Sequence, residues 1–369
     1  MHDEINVGVV IGRFQPLHIC HLSEAILPAL DESDTLIILL GSSHRPSTPK
    51  NPWTDSDRAE MIHLGLKDAG MTVEAYGNWL LKIGASDTTQ KTVYIVPIRD
   101  FAYSDIQWQM QVQEKVREIV SSCSNLDSKY ESAKINLFGV DRDDTTFYLK
   151  LFPQWIDKTT KRDKSSDQVK GTMCRELIFA SGAKGHGEWG KYLSPQVSEF
   201  ILNWCNSISF SSLKEEFDFL KRYKADLSGY KYPIIFQTVD NIILYKGHVF
   251  LLNRRSFPGK GLLSLPGGFI DSSLTLLQSA LSIAKEKSKL NLKLDWLVAS
   301  KTFDYPGRSL RGRTITTAFL WKLPETMNVI VAGANKEHWY QLCDIMKMSD
   351  FLYEDHYDII IDMLQLSKT

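Results

Sequence analysis

The chain of 369 residues carries almost no excess of either charge: 43 lysines and arginines face 44 aspartates and glutamates, a formal net charge of -1. That balance leaves no electrostatic footprint for nucleic acid, and no basic block reads as a membrane-surface patch. An anionic ligand must be met by a few placed cations. Cysteine is sparse too. The five, at 20, 123, 174, 205 and 343, are odd in number and form no CxxC or Cys/His finger. This argues against a disulfide framework or zinc site and fits a reducing cytoplasm. No apolar stretch approaches the roughly 18 residues of a membrane span. The opening MHDEINV lacks the basic and apolar regions of a secretory signal. The expectation is a cytoplasmic protein with no nucleic-acid or membrane partner. There is no internal repeat, and a homo-oligomer is left open, since the sequence does not fix the oligomeric state.

What is present is enough apolar material, 43% of residues, for two domains. The first part alternates β-branched runs (Val7–Ile11, Leu36–Leu40, Val93–Pro97, Ile135–Phe138) with helical patterns (His21–Leu30, Thr54–Ala69, Asp105–Ser121). This is the signature of a doubly wound α/β domain with a parallel sheet. Thr54 is placed to cap its helix. The polar stretch DKTTKRDKSSDQ, residues 157–168, reads as a surface loop. Helical patterns follow at 193–206 and 209–225, the second resembling a connector. From Tyr232 strands come in quick succession with a hairpin turn at Lys246-Gly247, marking an α+β domain. The expected division is 1–190, a connector over 191–228, and 229–369.

The stretch VVIGRFQPLHICHLSEA, residues 9–25, runs from a strand through Gly12 into a helix, with His18 and His21 three apart. A helix starting at the carboxyl edge of a parallel sheet attracts phosphate through its unpaired N–H groups and its dipole. On spacing alone the alternative stands that one histidine packs on the sheet and the other caps a turn. GRFQPLHICH resembles the first signature of the nucleotidyltransferase superfamily in its NMN adenylyltransferase form. GSSHRPSTPKNPWTDSDRAEMI (41–62), VPIRDFAYSDIQW (96–108) and FYLKLFPQW (147–155) resemble further segments of that family in the same order. Val169 to Arg175 resembles its second signature, ISxTxxR. Together these segments span about residues 5–190.

The resemblance implies a Rossmann-like nucleotidyltransferase domain that joins NMN to ATP, with Mg²⁺ on the triphosphate. His18, His21 and Arg175 would be the catalytic set, acting on the phosphates. Gly12, Arg13, Phe14, Gly139 and Thr172 would complete the ATP site, Thr172 also capping its helix. Arg13 and Arg58 would contact the NMN phosphate, while Trp53, Asp100 and Trp108 would line the nicotinamide riboside pocket. For Trp53 and Trp108 the alternative is a core aromatic. Three letters depart from the pattern. Cys20 replaces a glycine, so that its side chain is expected to crowd the nucleotide. Lys170 replaces a serine, and Val140 stands where a histidine is expected.

In the second domain, LPGGFIDSSLTLLQSALSIAKEKSKL (265–290) resembles the Nudix box, and PGRSLRGRTITTAFLW with YEDHYDII resembles the ADP-ribose pyrophosphatase half of bifunctional NMN adenylyltransferase/Nudix proteins. The resemblance implies an α+β Nudix fold. The box positions that should converge three carboxylates on a metal hold Ile283, Glu286 and Lys287, and Leu274 and Ser282 replace its other Glu and its Arg. One carboxylate beside an ammonium gives Mg²⁺ little reason to shed water. Glu286 is the remaining candidate metal ligand, and Leu276, Leu277, Ala280, Leu281 and Ala284 are available for a core. The expectation is an adenylyltransferase whose Nudix domain is silent and binds ADP-ribose through Arg311 and Arg313. Two alternatives stay open: a fully bifunctional enzyme with ligands outside the box, such as Glu354 or Asp355, and a non-enzymatic nucleotide sensor.

Overall fold

The computed structural model describes residues 5–77, 79–84, 90–123, 133–141, 144–161, 169–327, 329 and 338–366. The chain divides into two compact units, Met1–Lys214 and Glu215–Thr369.

The first unit is built on β1 (Asn6–Gly12), β2 (Thr35–Ser43), β3 (Thr72–Tyr76), β4 (Leu80–Gly84), β5 (Lys91–Arg99), β6 (Lys134–Phe138) and β8 (Ile156–Asp157), in the order β3-β4-β5-β2-β1-β6-β8. Strands β5 to β8 along this order are parallel, and β3 and β4 add an antiparallel hairpin at one edge. Two short strands, β7 (Val140–Asp141) and β9 (Thr160–Lys161), pair beside it. The central strands are β-branched and leucine-rich because helices cover both faces, so alternation is suppressed. On one face Val7, Val9, Ile37, Leu39, Val112 and Val116 share a core with Phe152 and Trp155.

The first helical run is three pieces in succession, α1 (Ile19–His21), a π-helical turn (Leu22–Ile26) and α2 (Leu27–Asp31). Then follow α3 (Asp55–Asp68) and α4 (Asp105–Cys123). Thr54 does cap α3: its hydroxyl accepts from Asp57 N–H at 3.2 Å while the Asp57 carboxylate accepts from Thr54 N–H at 2.9 Å. Helices α5 (Gly171–Ser181), α6 (His186–Trp189) and α7 (Pro195–Trp204) complete the unit, and the boundary falls within α8 (Ile208–Leu227). Part of the expected surface loop, residues 162–168, lies outside the described residues. Its first part instead contributes to β8 and β9.

The second unit carries a mixed sheet of β10 (Phe236–Tyr245), β11 (His248–Phe250), β14 (Gly267–Phe269), β15 (Leu297–Phe303), β16 (Thr314–Lys322) and β17 (Trp339–Gln341), in the order β15-β16-β10-β11-β17 with β14 on β10; β12 (Leu252–Asn253) and β13 (Leu263–Ser264) pair separately. Lys246 and Gly247 both take positive φ, 44° and 74°, as a two-residue hairpin turn of this hand requires. Helix α9 (Leu276–Ser288) buries Ala280 and Ala284 against the sheet core of Val239, Ile243, Phe319 and Trp321. Leu277 and Leu281 pack beside them, whereas Leu276, the first helical residue, is exposed. Short α10 (Leu342–Ile345) and α11 (His356–Leu366) close the unit.

Candidate functional site

Strand β1 ends at Gly12, at the carboxyl edge of the parallel strands, and the chain turns through Arg13, Phe14, Gln15 and Pro16. Phe14 adopts a left-handed backbone, φ 48°, with its buried ring folded back beneath Gly12. Ser42 and His44, at the end of β2 and just beyond it on the same edge, also have positive φ. Non-glycine residues held in this region cluster where a surrounding structure imposes the shape, commonly at ligand sites.

His18 precedes α1 with an extended backbone and its imidazole is buried. His21 stacks on it, with ring centroids 3.6 Å apart, and Phe14 meets His21 edge-on at 5.1 Å. The His18 backbone N–H donates to His21 Nδ1 at 3.3 Å. With Nδ1 accepting, a neutral His21 carries its proton on Nε2 and is a donor there.

Arg175 reaches this turn from α5: one guanidinium nitrogen donates to the Gln15 carbonyl and another to Thr172 Oγ1 at 3.0 Å. The expected capping role of Thr172 is corrected. Lys170 is the N-cap, and Thr172 lies in the first turn, where its hydroxyl receives Arg175. Burial, and then the neighbouring Arg13, bring the Arg175 guanidinium down to about 10, still protonated at neutral pH. Three of its five N–H groups remain beyond the two contacts described.

Two cations that the sequence motifs do not single out, Arg45 and Lys50, join them. Lys50, in the segment between β2 and α3, is held below its ordinary range by burial and by Arg13, Arg45 and Arg175, with Asp100 pulling the other way. The signal for both is positional: like the β1 turn, their segment leaves the carboxyl end of a central strand.

The remaining candidates divide. Asp100 lies just past β5, where Ser42 N–H and Oγ donate to its carboxylate at 3.0 and 2.6 Å. Gly139 follows β6, next to β1 in the sheet. Arg58 is 1% exposed and donates to the carbonyls of Arg13 and Gly41 at 2.8 and 2.7 Å, to Ser43 Oγ, and to Asp55. It ties three segments together from beneath. Trp53 is buried against Trp204, with its backbone clamped by the Gln15 amide, so the core-aromatic alternative describes its side chain. Trp108 is half-buried and packs on Tyr148 and Phe152.

Cys20 does not turn toward the turn's open side. It is 8% exposed and packs with Val169 and Cys174 beneath both signatures. Cys20→Gly is therefore expected to lower the melting temperature and cost about 1–2 kcal/mol, from lost burial and added helix freedom. Thermal denaturation checks this; an improved Michaelis constant for ATP at unchanged stability would contradict it.

In the second unit Gly267 and Gly268, the first two residues of β14, lie tightly on β10. A Cβ at Gly267 would come within 1.9 Å of Asp240 Oδ1 and 2.7 Å of the Val239 carbonyl. Asp240 accepts from Thr316 Oγ1 at 2.7 Å and lies 4.0 Å from Arg308 and 3.7 Å from His356. Arg308 forms a buried two-pronged pair with Asp355, both contacts 2.8 Å. His356 Nδ1 accepts the Leu265 N–H at 2.9 Å. On α9 the Lys287 ammonium donates to the Gly267 carbonyl, and Glu286 is exposed. Glu354 accepts from Tyr353 OH at 2.6 Å; burial pushes its carboxyl up against the pull of Arg311. Arg311 lies over the Phe269 ring, and Arg313 donates to the Asp304 carbonyl. Among the described residues no three His, Cys, Asp or Glu side chains gather as a metal site. With Asp240 and Asp355 committed to Arg308 and an ammonium on the Gly267 carbonyl of β14, these residues do not fit a divalent cation.

Residues 9–177 match the Cytidylyltransferase-like family. The chain is 35% identical to a nicotinamide/nicotinic acid mononucleotide adenylyltransferase of Acinetobacter baylyi over 171 residues, 46% of this chain and 74% of that protein. It is 37% identical over 99 residues to a nicotinamide-nucleotide adenylyltransferase of Saccharolobus solfataricus, covering 27% of this chain and 47% of that one. Among solved structures it is similar to a bifunctional NMN adenylyltransferase/ADP ribose pyrophosphatase of Francisella tularensis, crystallised with AMP and a manganese ion. That likeness has a TM-score of 0.78 at 26% identity and covers 98% of this chain and 99% of the other. The chain belongs to the nicotinamide mononucleotide adenylyltransferase family, in the two-domain form shared with the bifunctional adenylyltransferase/ADP-ribose pyrophosphatases.

Proposed function

We propose that the first unit makes NAD and pyrophosphate from NMN and ATP, and that the second binds ADP-ribose without hydrolysing it. The observation that carries the first part is the meeting of His18, His21 and Arg175 at one strand edge within the field of Arg13, Arg45 and Lys50. The reaction is an in-line attack by an NMN phosphate oxygen on the α-phosphorus of ATP, with the bond to the β-phosphate oxygen breaking. It needs two polyanions held together and the charge on the transferring group neutralised, and no nucleophilic side chain. His21 Nε2–H donates to the developing charge on the α-phosphoryl oxygens, with His18 stacked behind it. Arg175 spans the outer phosphates with its remaining donors, a role for a planar fork. Arg13 and Asp100 serve the NMN side. Mg²⁺ arrives on the triphosphate as part of the substrate and shields its charge.

The relative's ADP ribose pyrophosphatase name favours a second reading, in which this chain hydrolyses ADP-ribose as well. One experiment addresses both: NAD formation from NMN, ATP and Mg²⁺ by the full chain, with AMP release from ADP-ribose followed in parallel. The expected outcome is that NAD forms and no AMP is released; sustained AMP release would favour the bifunctional reading. Arg175→Ala is expected to lower kcat/KM for ATP by at least about tenfold, the loss of a charge-assisted contact. An Arg175→Ala enzyme with unchanged kcat/KM would remove that residue from the phosphate site.

A further inference from the structure

We propose that the Lys287 ammonium is a built-in replacement for the divalent cation of the Nudix box, holding the diphosphate of a bound nucleoside diphosphate ester at the Gly267-Gly268 start of β14. The inference rests on the reading that the second unit binds such a ligand. Lys287 occupies a box position where a carboxylate would face metal, and its side chain crosses from α9 to β14 to donate to the Gly267 carbonyl. A Cβ at Gly268 would lie 3.7 Å from Lys287 Nζ, so the ammonium also stands over the second glycine. The two glycines thus form a floor on which the ammonium is pinned. The Gly267 carbonyl takes one of its three donors. Around it the local field is mixed. Burial holds the Lys287 ammonium below its ordinary range and Arg254 adds to that, while Glu286 and Asp240 favour the charged form. Asp240 is itself committed to Thr316 and flanked by Arg308 and His356, within the fold. Arg254 stacks over the Tyr353 ring at 3.7 Å, and Arg311 over Phe269 at 5.1 Å. A tethered cation with arginines nearby recognises a bridging diphosphate as a metal ion does, by charge and hydrogen bonding. It supplies no site for activating water. The class of ligand is a nucleoside diphosphate ester, bound and not cleaved.

The test uses the full chain in three forms: wild type, Lys287→Ala and Lys287→Glu. Calorimetric titration with ADP-ribose is run with EDTA and with Mn²⁺, and Mn²⁺ alone is titrated by electron paramagnetic resonance. Wild type is expected to bind ADP-ribose with the same Kd in EDTA and in Mn²⁺. Lys287→Ala is expected to bind at least about tenfold more weakly in EDTA. Lys287→Glu is expected to gain one Mn²⁺ site over wild type and to bind ADP-ribose only with Mn²⁺. Wild-type binding that requires Mn²⁺, or an unchanged Kd in Lys287→Ala, would overturn the proposal while leaving ADP-ribose recognition standing. Should the wild type fail to bind ADP-ribose under either condition, the ligand reading falls, and the Mn²⁺ titration then decides cation replacement by itself. A new site in Lys287→Glu supports it, and no new site overturns it.

Discussion

His21→Ala is expected to reduce the rate of NAD formation at least about a hundredfold, the usual consequence of losing one donor to transition-state charge. The hydrogen bond from the His18 N–H to Nδ1 makes the expectation specific. Because it fixes the proton on Nε2, a side chain that restores an N–H at that position recovers part of the rate and one that restores only volume does not. His21→Gln should therefore exceed both His21→Ala and His21→Leu, measured as kcat at saturating ATP and NMN. An alanine variant that folds normally and turns over near the wild-type rate would exclude the mechanism.

The second large effect is on stability and belongs to the other unit. Arg308→Met is expected to destabilise it by about 3–5 kcal/mol, because Asp355 and Asp240 would remain buried without their shared counter-charge. For a unit of this size the shift is roughly 2–4 °C per kcal/mol, so its calorimetric transition should fall by on the order of 10 °C. An unmoved transition would show that the pair is dispensable. The same network sets a pH dependence. Burial holds His356 below its ordinary range, against the pull of Asp240 and Asp355 and with Arg308 and Arg254 repelling a proton. The folded unit thus keeps the ring neutral while the unfolded chain takes up a proton near pH 6.5. The stability contributed by neutral His356 is complete above that pH and is lost as pH falls through it.

The strand and helix alternation of the first unit is legible because a parallel sheet covered on both faces writes itself as unbroken apolar runs, as in Leu36–Leu40, where every residue is buried. The β3–β4 hairpin escapes that reading because β3 is an exposed edge, with only Val73 partly buried. Signature letters locate His18, His21 and Arg175, yet they do not say which way a replaced residue faces. Successive helical residues are about 100° apart, so a side chain one position before His21 points off the shared face of His18 and His21. Cys20 goes inward for that reason. Arg58 looks like a phosphate ligand in sequence, where two of its acceptors, the carbonyls of Arg13 and Gly41 in other segments, cannot be read. Arg45 and Lys50 sit in a stretch without periodicity, and only the end point of β2 brings them to the site.

The underside of the two signatures carries a further consequence. Cys20 and Cys174 share one buried cluster, Arg175 bonds the Gln15 carbonyl, and a Cβ on Gly171 would stand 3.0 Å from that same oxygen. Segments more than 150 residues apart are thereby locked into a single rigid plate. Catalytic donors mounted on such a plate need little reorganisation as charge develops, which is where preorganised electrostatics gains its advantage over water. The same rigidity makes the two signatures energetically inseparable. Disturbing the thiol packing should misalign His21 and Arg175 together, and a double-mutant cycle between Cys20 and Cys174 should show strong coupling in turnover as well as in stability.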